Sequence, residues 1–156
     1  MAYGFENNLY IKDLNTGETR QITTDGKKNH IINGITDWVY EEEFAFVRAF
    51  DWNASGDKIA YIKFDETDVP EFSMDIYGIQ LYQTQQVFKY PKAGEKNAEV
   101  SLHIFDLSTN ATSKIHLENH HSYYIPRLQW TKEAAVLSVQ TMNRKQNELD
   151  LIFVDA

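Results

Sequence analysis

The chain of 156 residues contains no cysteine. That absence removes disulfides, thiolate metal sites and a cysteine nucleophile together. It leaves the compartment open, because a cysteine-free protein is stable under oxidising and reducing conditions alike. Basic residues are also scarce: 15 Lys and Arg stand against 23 Asp and Glu, a net charge of −8. Nucleic acid and anionic membrane surfaces need clustered cations to displace counterions, so neither is an expected partner. Basic or amine-bearing ligands fit the charge better. No apolar run approaches the roughly eighteen residues of a membrane span, and no basic start with an apolar core marks a signal peptide. The chain as given is therefore expected to be soluble and unprocessed. What is present is 42% hydrophobic residues, with aromatics making up 13% of the whole chain, enough to build one packed core of ordinary domain size.

The local pattern is β-strand nearly throughout. Asn8 to Leu14 alternates apolar and polar residues, Asn15-Thr16-Gly17 is a turn signal, and Thr19 to Thr23 follows as a second strand, which predicts a hairpin. Ser101 to Leu107, Ser108-Thr109-Asn110 and Thr112 to His116 repeat that arrangement, and Leu149 to Asp155 is a third copy of its first strand. A second unit, Phe50 to Phe64, joins a strand end through a tight turn to a continuous apolar strand, and Leu128 to Gln140 matches it, with Trp52 and Trp130 as equivalent anchors. Inner and outer strand pairs recurring in this order predict four-stranded antiparallel blades stacked about an axis. The expected fold is all-β, a partial β-propeller of about two to three blades: the outer two strands of one blade in residues 1–28, a complete blade in 29–118, and most of the next in 119–156. Propellers close with four to eight blades, so unpaired edges at both ends are expected to pair with another copy or leave the isolated chain marginally stable.

Two segments depart from plain blades. Residues 29–49 contain Asp37-Trp38-Val39-Tyr40-Glu41-Glu42-Glu43, where Thr36 or Asp37 can cap a short helix whose first turn carries acids near the positive end of its dipole. This helix is expected to lie between blades. Most Glu runs are solvated helix faces, but here Trp38, Val39, Tyr40, Phe44, Phe46 and Val47 leave little polar surface around the acids. At least one Glu is thus expected where water is limited and a counter-charge is needed, so the cluster reads as a receptor for a cation. The second departure is the long stretch 65–100, with Pro70, Pro91 and aromatics such as Phe72, Tyr77, Tyr82 and Phe88, which the loop alone cannot hide and which suits a protein contact.

Hydrolytic chemistry is missing. No Gly-x-Ser-x-Gly elbow occurs, and none of Ser55, Ser73, Ser101, Ser108, Ser113, Ser122 and Ser138 has glycines on both sides. His120-His121 would diverge on a strand and completes no metal site, so no catalytic residue, metal or cofactor is expected. Asn53-Ala-Ser55 and Asn110-Ala-Thr112 match glycosylation acceptors, a pattern frequent by chance. From the residues alone, a self-standing β-repeat interaction module remains a second reading.

The run Asp37 to Glu43 resembles the double-Glu signature of the dipeptidyl peptidase IV branch of the prolyl oligopeptidase family of serine peptidases. Asn33 to Thr36, Phe64 to Pro70, Tyr90 to Asn97 and Leu137 to Arg144 carry the resemblance along essentially the whole chain, in the right order. Asn53-Ala54-Ser55-Gly56 departs from the commoner Ser-Pro-Asp-Gly turn, and Gln83 stands where Pro is usual; both concern loop geometry only. The resemblance implies the middle of an eight-bladed propeller joined in the parent to a C-terminal α/β-hydrolase domain that releases dipeptides, with Pro or Ala second, from free peptide N-termini. It implies that Glu42 and Glu43 bind the substrate's α-ammonium, that Glu41 is a supporting residue, that an arm matching residues 65–96 helps form a homodimer, and that the parent is periplasmic, extracellular or membrane-anchored.

Overall fold

A computed structural model describes residues 1–117 and 123–156. Its strands form three antiparallel sheets of a partial β-propeller and one projecting hairpin. The first sheet joins β1 (Ala2–Phe5), β2 (Asn8–Lys12) and β3 (Thr19–Gln21) in that order. It has three strands where the sequence pattern gave a hairpin, because Ala2 to Phe5 pairs with Asn8 to Ile11 across a turn at Glu6 and Asn7, both in the left-handed region.

The middle sheet is built on β6 (Lys58–Asp65) and β9 (Glu99–Asp106), with β10 (Ala111–Ile115) outside. Its innermost strand is split. β4 (Ile31–Asn33) pairs with the end of β6, and β5 (Phe50–Trp52) pairs with its beginning. The helix α1 (Trp38–Phe44) lies in the interruption, so it is not an excursion between blades as the sequence suggested. Gly34 and Ala49 close its two ends: Ala49 N–H donates to Gly34 O at 3.0 Å, and Gly34 and Ile62 bond through Gly34 N–H at 3.0 Å. Gly34 has φ +72°, and a Cβ there would sit 3.0 Å from Leu9 Cδ1, so only glycine fits comfortably.

The third sheet orders β11 (Tyr123–Trp130), β12 (Val136–Asn143) and β13 (Leu149–Asp155). Trp52 and Trp130 occupy matching positions, each ending an inner strand opposite Ile59 and Leu137 respectively. Between β6 and β9 the chain leaves as a hairpin of β7 (Glu71–Ile76) and β8 (Thr84–Lys89). The boundary read at 118 and 119, and the pair His120-His121, lie outside the described residues.

Alternation along β6 explains the stacking. Ala60, Ile62 and Phe64 enter one cluster with Leu128, Trp130, Leu137 and Val139 of the third sheet. Ile59 and Tyr61 enter another with Leu9 of the first sheet and Phe50. The middle sheet is thus buried on both faces, which is why β6 reads as a nearly continuous apolar run rather than a half-polar one. Asp51 adds a polar clasp to the third sheet: its carboxylate accepts from Trp130 N–H at 3.0 Å and its carbonyl from the indole N–H at 3.1 Å.

Candidate functional site

Helix α1 is short enough that its local chemistry must be complete. Asp37 is the N-cap, extended at φ −77° and ψ 178°, and its carboxylate accepts the Tyr40 N–H at 3.0 Å. At the other end Ala45 adopts the left-handed conformation and donates its N–H to Tyr40 O, which also accepts from Phe46 N–H at 3.3 Å. Tyr40 and Phe44, one turn apart, face inward. Glu41, Glu42 and Glu43 are all exposed. The expectation that one of them lies away from water is therefore overturned: Tyr40 and Phe44 use the apolar face, and consecutive positions spread the three acids around the remaining surface. Neither Glu42 nor Glu43 holds an ion pair among the described residues.

Tyr40 is the side chain that fixes the helix. It is 2% exposed, and its ring meets Phe64 at 4.8 Å, Phe44 at 5.1 Å and Tyr124 at 6.1 Å, all edge-on. Such contacts contribute beyond the area they bury. Its hydroxyl oxygen accepts the Ile125 N–H at 2.8 Å, from a residue of the neighbouring sheet. On the opposite side Trp38 meets Tyr90 with centroids 4.3 Å apart, joining the helix to the base of the β7–β8 hairpin. Trp38, Phe72, Met74, Phe88, Tyr90 and Lys92 line an apolar groove there of about 610 Å³.

The carboxyls withdrawn from water are Asp37 and Glu66, 8% and 7% exposed. Burial raises Asp37 to about 6 against the favourable Tyr40 N–H bond. Burial first, and the Asp37 charge second, raise Glu66 to about 7, with Lys89 offsetting part of the rise. Lys89 is itself nearly buried and donates to the carbonyls of Val69 at 2.9 Å and Thr67 at 3.2 Å. A buried acid pair with one nearby cation thus underlies the junction of α1 and the hairpin. Asp37 was one of the two caps the sequence offered, beside Thr36, and the structure selects it. Nothing local marks Glu66, whose burial requires the hairpin base to fold back.

The described residues contain no group of three or more metal-ligating side chains. Of the two glycosylation-type sequences, Asn53 is 5% exposed and its amide is engaged by Ser55, Asp57 and the Ala134 carbonyl, so it has no room for a sugar. Asn110 sits exposed in a turn with φ 56°.

Residues 1–156 match the family described as the dipeptidyl peptidase IV (DPP IV) N-terminal region. The chain belongs to that family. Dipeptidyl peptidase 4 from Porphyromonas gingivalis has a crystal structure that superposes with a TM-score of 0.94 at 41% identity, covering 99% of this chain and 22% of that one. Dipeptidyl peptidase 4 from Sus scrofa is 33% identical over 94% of this chain and 21% of its own length. Prolyl endopeptidase FAP from Bos taurus is 41% identical over 107 residues, 68% of this chain and 14% of the relative. The chain thus spans about a fifth or less of these dipeptidyl peptidase IV family members.

Proposed function

We propose that this chain is a non-catalytic part of a dipeptidyl peptidase IV-like serine exopeptidase, in which Glu42 and Glu43 bind the substrate's N-terminal ammonium. The observation that carries the reading is two adjacent, exposed carboxylates, without an ion pair among the described residues, on a helix braced on one side by Tyr40 and on the other by Trp38. A peptide α-amino group titrates near 8 and is largely cationic at neutral pH, whereas an internal amide is neutral. One charge pair at about 4 Å gives roughly 4 kcal/mol of gross attraction at an effective dielectric near 20, before desolvation. Fixed acids therefore measure length. A chain with its terminus two residues from the scissile bond satisfies them, and a longer one leaves both facing a neutral amide.

The hydrolysis itself is assigned to a C-terminal α/β-hydrolase domain of the parent, with the propeller gating access to it. Leu149, Leu151 and Phe153, each more than half exposed on one face of β13, suit cover by a further blade. The hairpin end, with Tyr77, Ile79, Leu81 and Tyr82 at 78–103% exposure, suits contact with a second copy. The parent's periplasmic, extracellular or membrane-anchored location follows from the same resemblance. In the full-length protein, Glu42→Gln and Glu43→Gln should each reduce kcat/KM for a free-amine Xaa-Pro substrate by about 10- to 100-fold, the size of a lost charge-assisted bond. Unchanged kinetics in both variants, with folding intact, refute the assignment.

The exposed hairpin also supports a second reading, a self-standing β-repeat interaction module. A reading frame continuing into a Gly-x-Ser-x-Gly domain supports the first reading, and its absence supports the second.

A further inference from the structure

We infer that Tyr40 is a positioning residue for the amine site, and that it acts through a β-bulge in the neighbouring sheet. This rests on the reading of Glu42 and Glu43 given above. In β11, Tyr124 pairs with Met142 and Arg127 with Gln140, so Ile125 and Pro126 together oppose the single residue Thr141. Two residues against one is a bulge, and it accommodates Pro126, which has no N–H to give the ladder. Thr141, fully buried opposite it, has a hydroxyl without a hydrogen-bond partner among the described residues. The Ile125 N–H is directed instead to the Tyr40 hydroxyl.

The consequence for the acids is geometric. Tyr40 lies two and three residues before Glu42 and Glu43 on a helix of only seven residues, and its N–H and C=O hold both ends of that helix through Asp37 and Ala45. Its ring sets the depth of the helix, through Phe64 and Tyr124. Ring contacts permit sliding, whereas the directional hydrogen bond accepted from a backbone N–H of another sheet resists rotation about the helix axis. Rotation is what aims Glu42 and Glu43, and displacement by about 1 Å at a charged site is enough to cost orders of magnitude in rate or affinity.

The test uses the full-length protein and two probes, the dipeptide Ala-Pro and its N-acetyl derivative, with affinities measured by calorimetry. The ratio of the two affinities isolates recognition of the ammonium. Tyr40→Phe keeps the ring and should lower that ratio at least fivefold. Tyr61→Phe removes another buried tyrosine hydroxyl, in the separate cluster around Leu9, and should leave the ratio within twofold at whatever cost in melting temperature. Preservation of the ratio in Tyr40→Phe overturns the proposal. If Glu42→Gln and Glu43→Gln also preserve it, the functional reading fails first; if they collapse it and Tyr40→Phe does not, only the positioning role fails. Hydrogen exchange of the unmutated protein covers the case in which Tyr40→Phe does not fold. Ala-Pro binding should slow exchange at the Ile125 amide as well as within α1, and protection confined to α1 overturns the proposal.

Discussion

Changing Glu66 to Gln tests the buried acid pair beneath helix α1. The side chain keeps its shape and its carbonyl-type acceptor but can no longer ionise. In the folded protein Glu66 holds its proton up to about 7, against an ordinary value of 4.5. Below about pH 4 the group is protonated in folded and unfolded chains alike, and it contributes no pH dependence. As pH rises from 4.5 to about 7 the unfolded chain releases this proton more readily than the folded one, so stability falls, and above that window it levels off. The displacement amounts to about 3 kcal/mol at 1.36 kcal/mol per unit, and screening by local water reduces it to about 1–2 kcal/mol. Asp37, raised to about 6, adds a smaller fall at lower pH. Urea denaturation of the intact protein at constant ionic strength should therefore show the wild type losing about 1–2 kcal/mol relative to Glu66→Gln between pH 5 and 8, a difference in which the opposing contribution of His103, lowered to about 4 by burial, cancels. Glu66→Gln should be nearly flat between pH 6 and 8. Parallel profiles for the two proteins would refute the reasoning.

Gly34→Ala forces an L side chain into φ +72° against Leu9, where the left-handed conformation alone costs about 1–2 kcal/mol; thermal melting should drop accordingly, with the loss largest at the α1 insertion by hydrogen exchange. Paired Leu81→Ser and Tyr82→Ser changes remove exposed apolar surface from the hairpin end and should shift the full-length protein from dimer towards monomer in sedimentation, without lowering its melting temperature. Glu41→Gln should weaken substrate binding far less than the same change at Glu42 or Glu43, measured as kcat/KM side by side; an equal loss at all three would mean that general negative potential, not two aimed carboxylates, attracts the peptide.

Strands, turns and the helix cap were legible because their signals are local. The period-2 alternation of Asn8 to Lys12 and Leu149 to Asp155, the glycine turns, and the capping pair Thr36 and Asp37 ahead of the helix each depend on neighbours within a few positions. The repeated anchors Trp52 and Trp130 gave the blade register, since each ends an inner strand in the fold. β1 gained its place through pairing with β2.

The amino-acid order by itself determined a cysteine-free, acidic, all-β chain with three acids on a capped helix. Tertiary structure alone decided which carboxyls lose water. Glu41, Glu42 and Glu43 sit among aromatic residues in the sequence and yet face solvent, because Tyr40 and Phe44 turn their single apolar face inward. Glu66 looks like an ordinary loop acid and yet is buried, because the returning hairpin brings Lys89 to it from 23 positions further along the chain. The split inner strand and the Tyr40 bond to Ile125, 85 residues away, have the same origin: burial and cross-sheet hydrogen bonds are set by how blades stack, and no window of sequence contains that information.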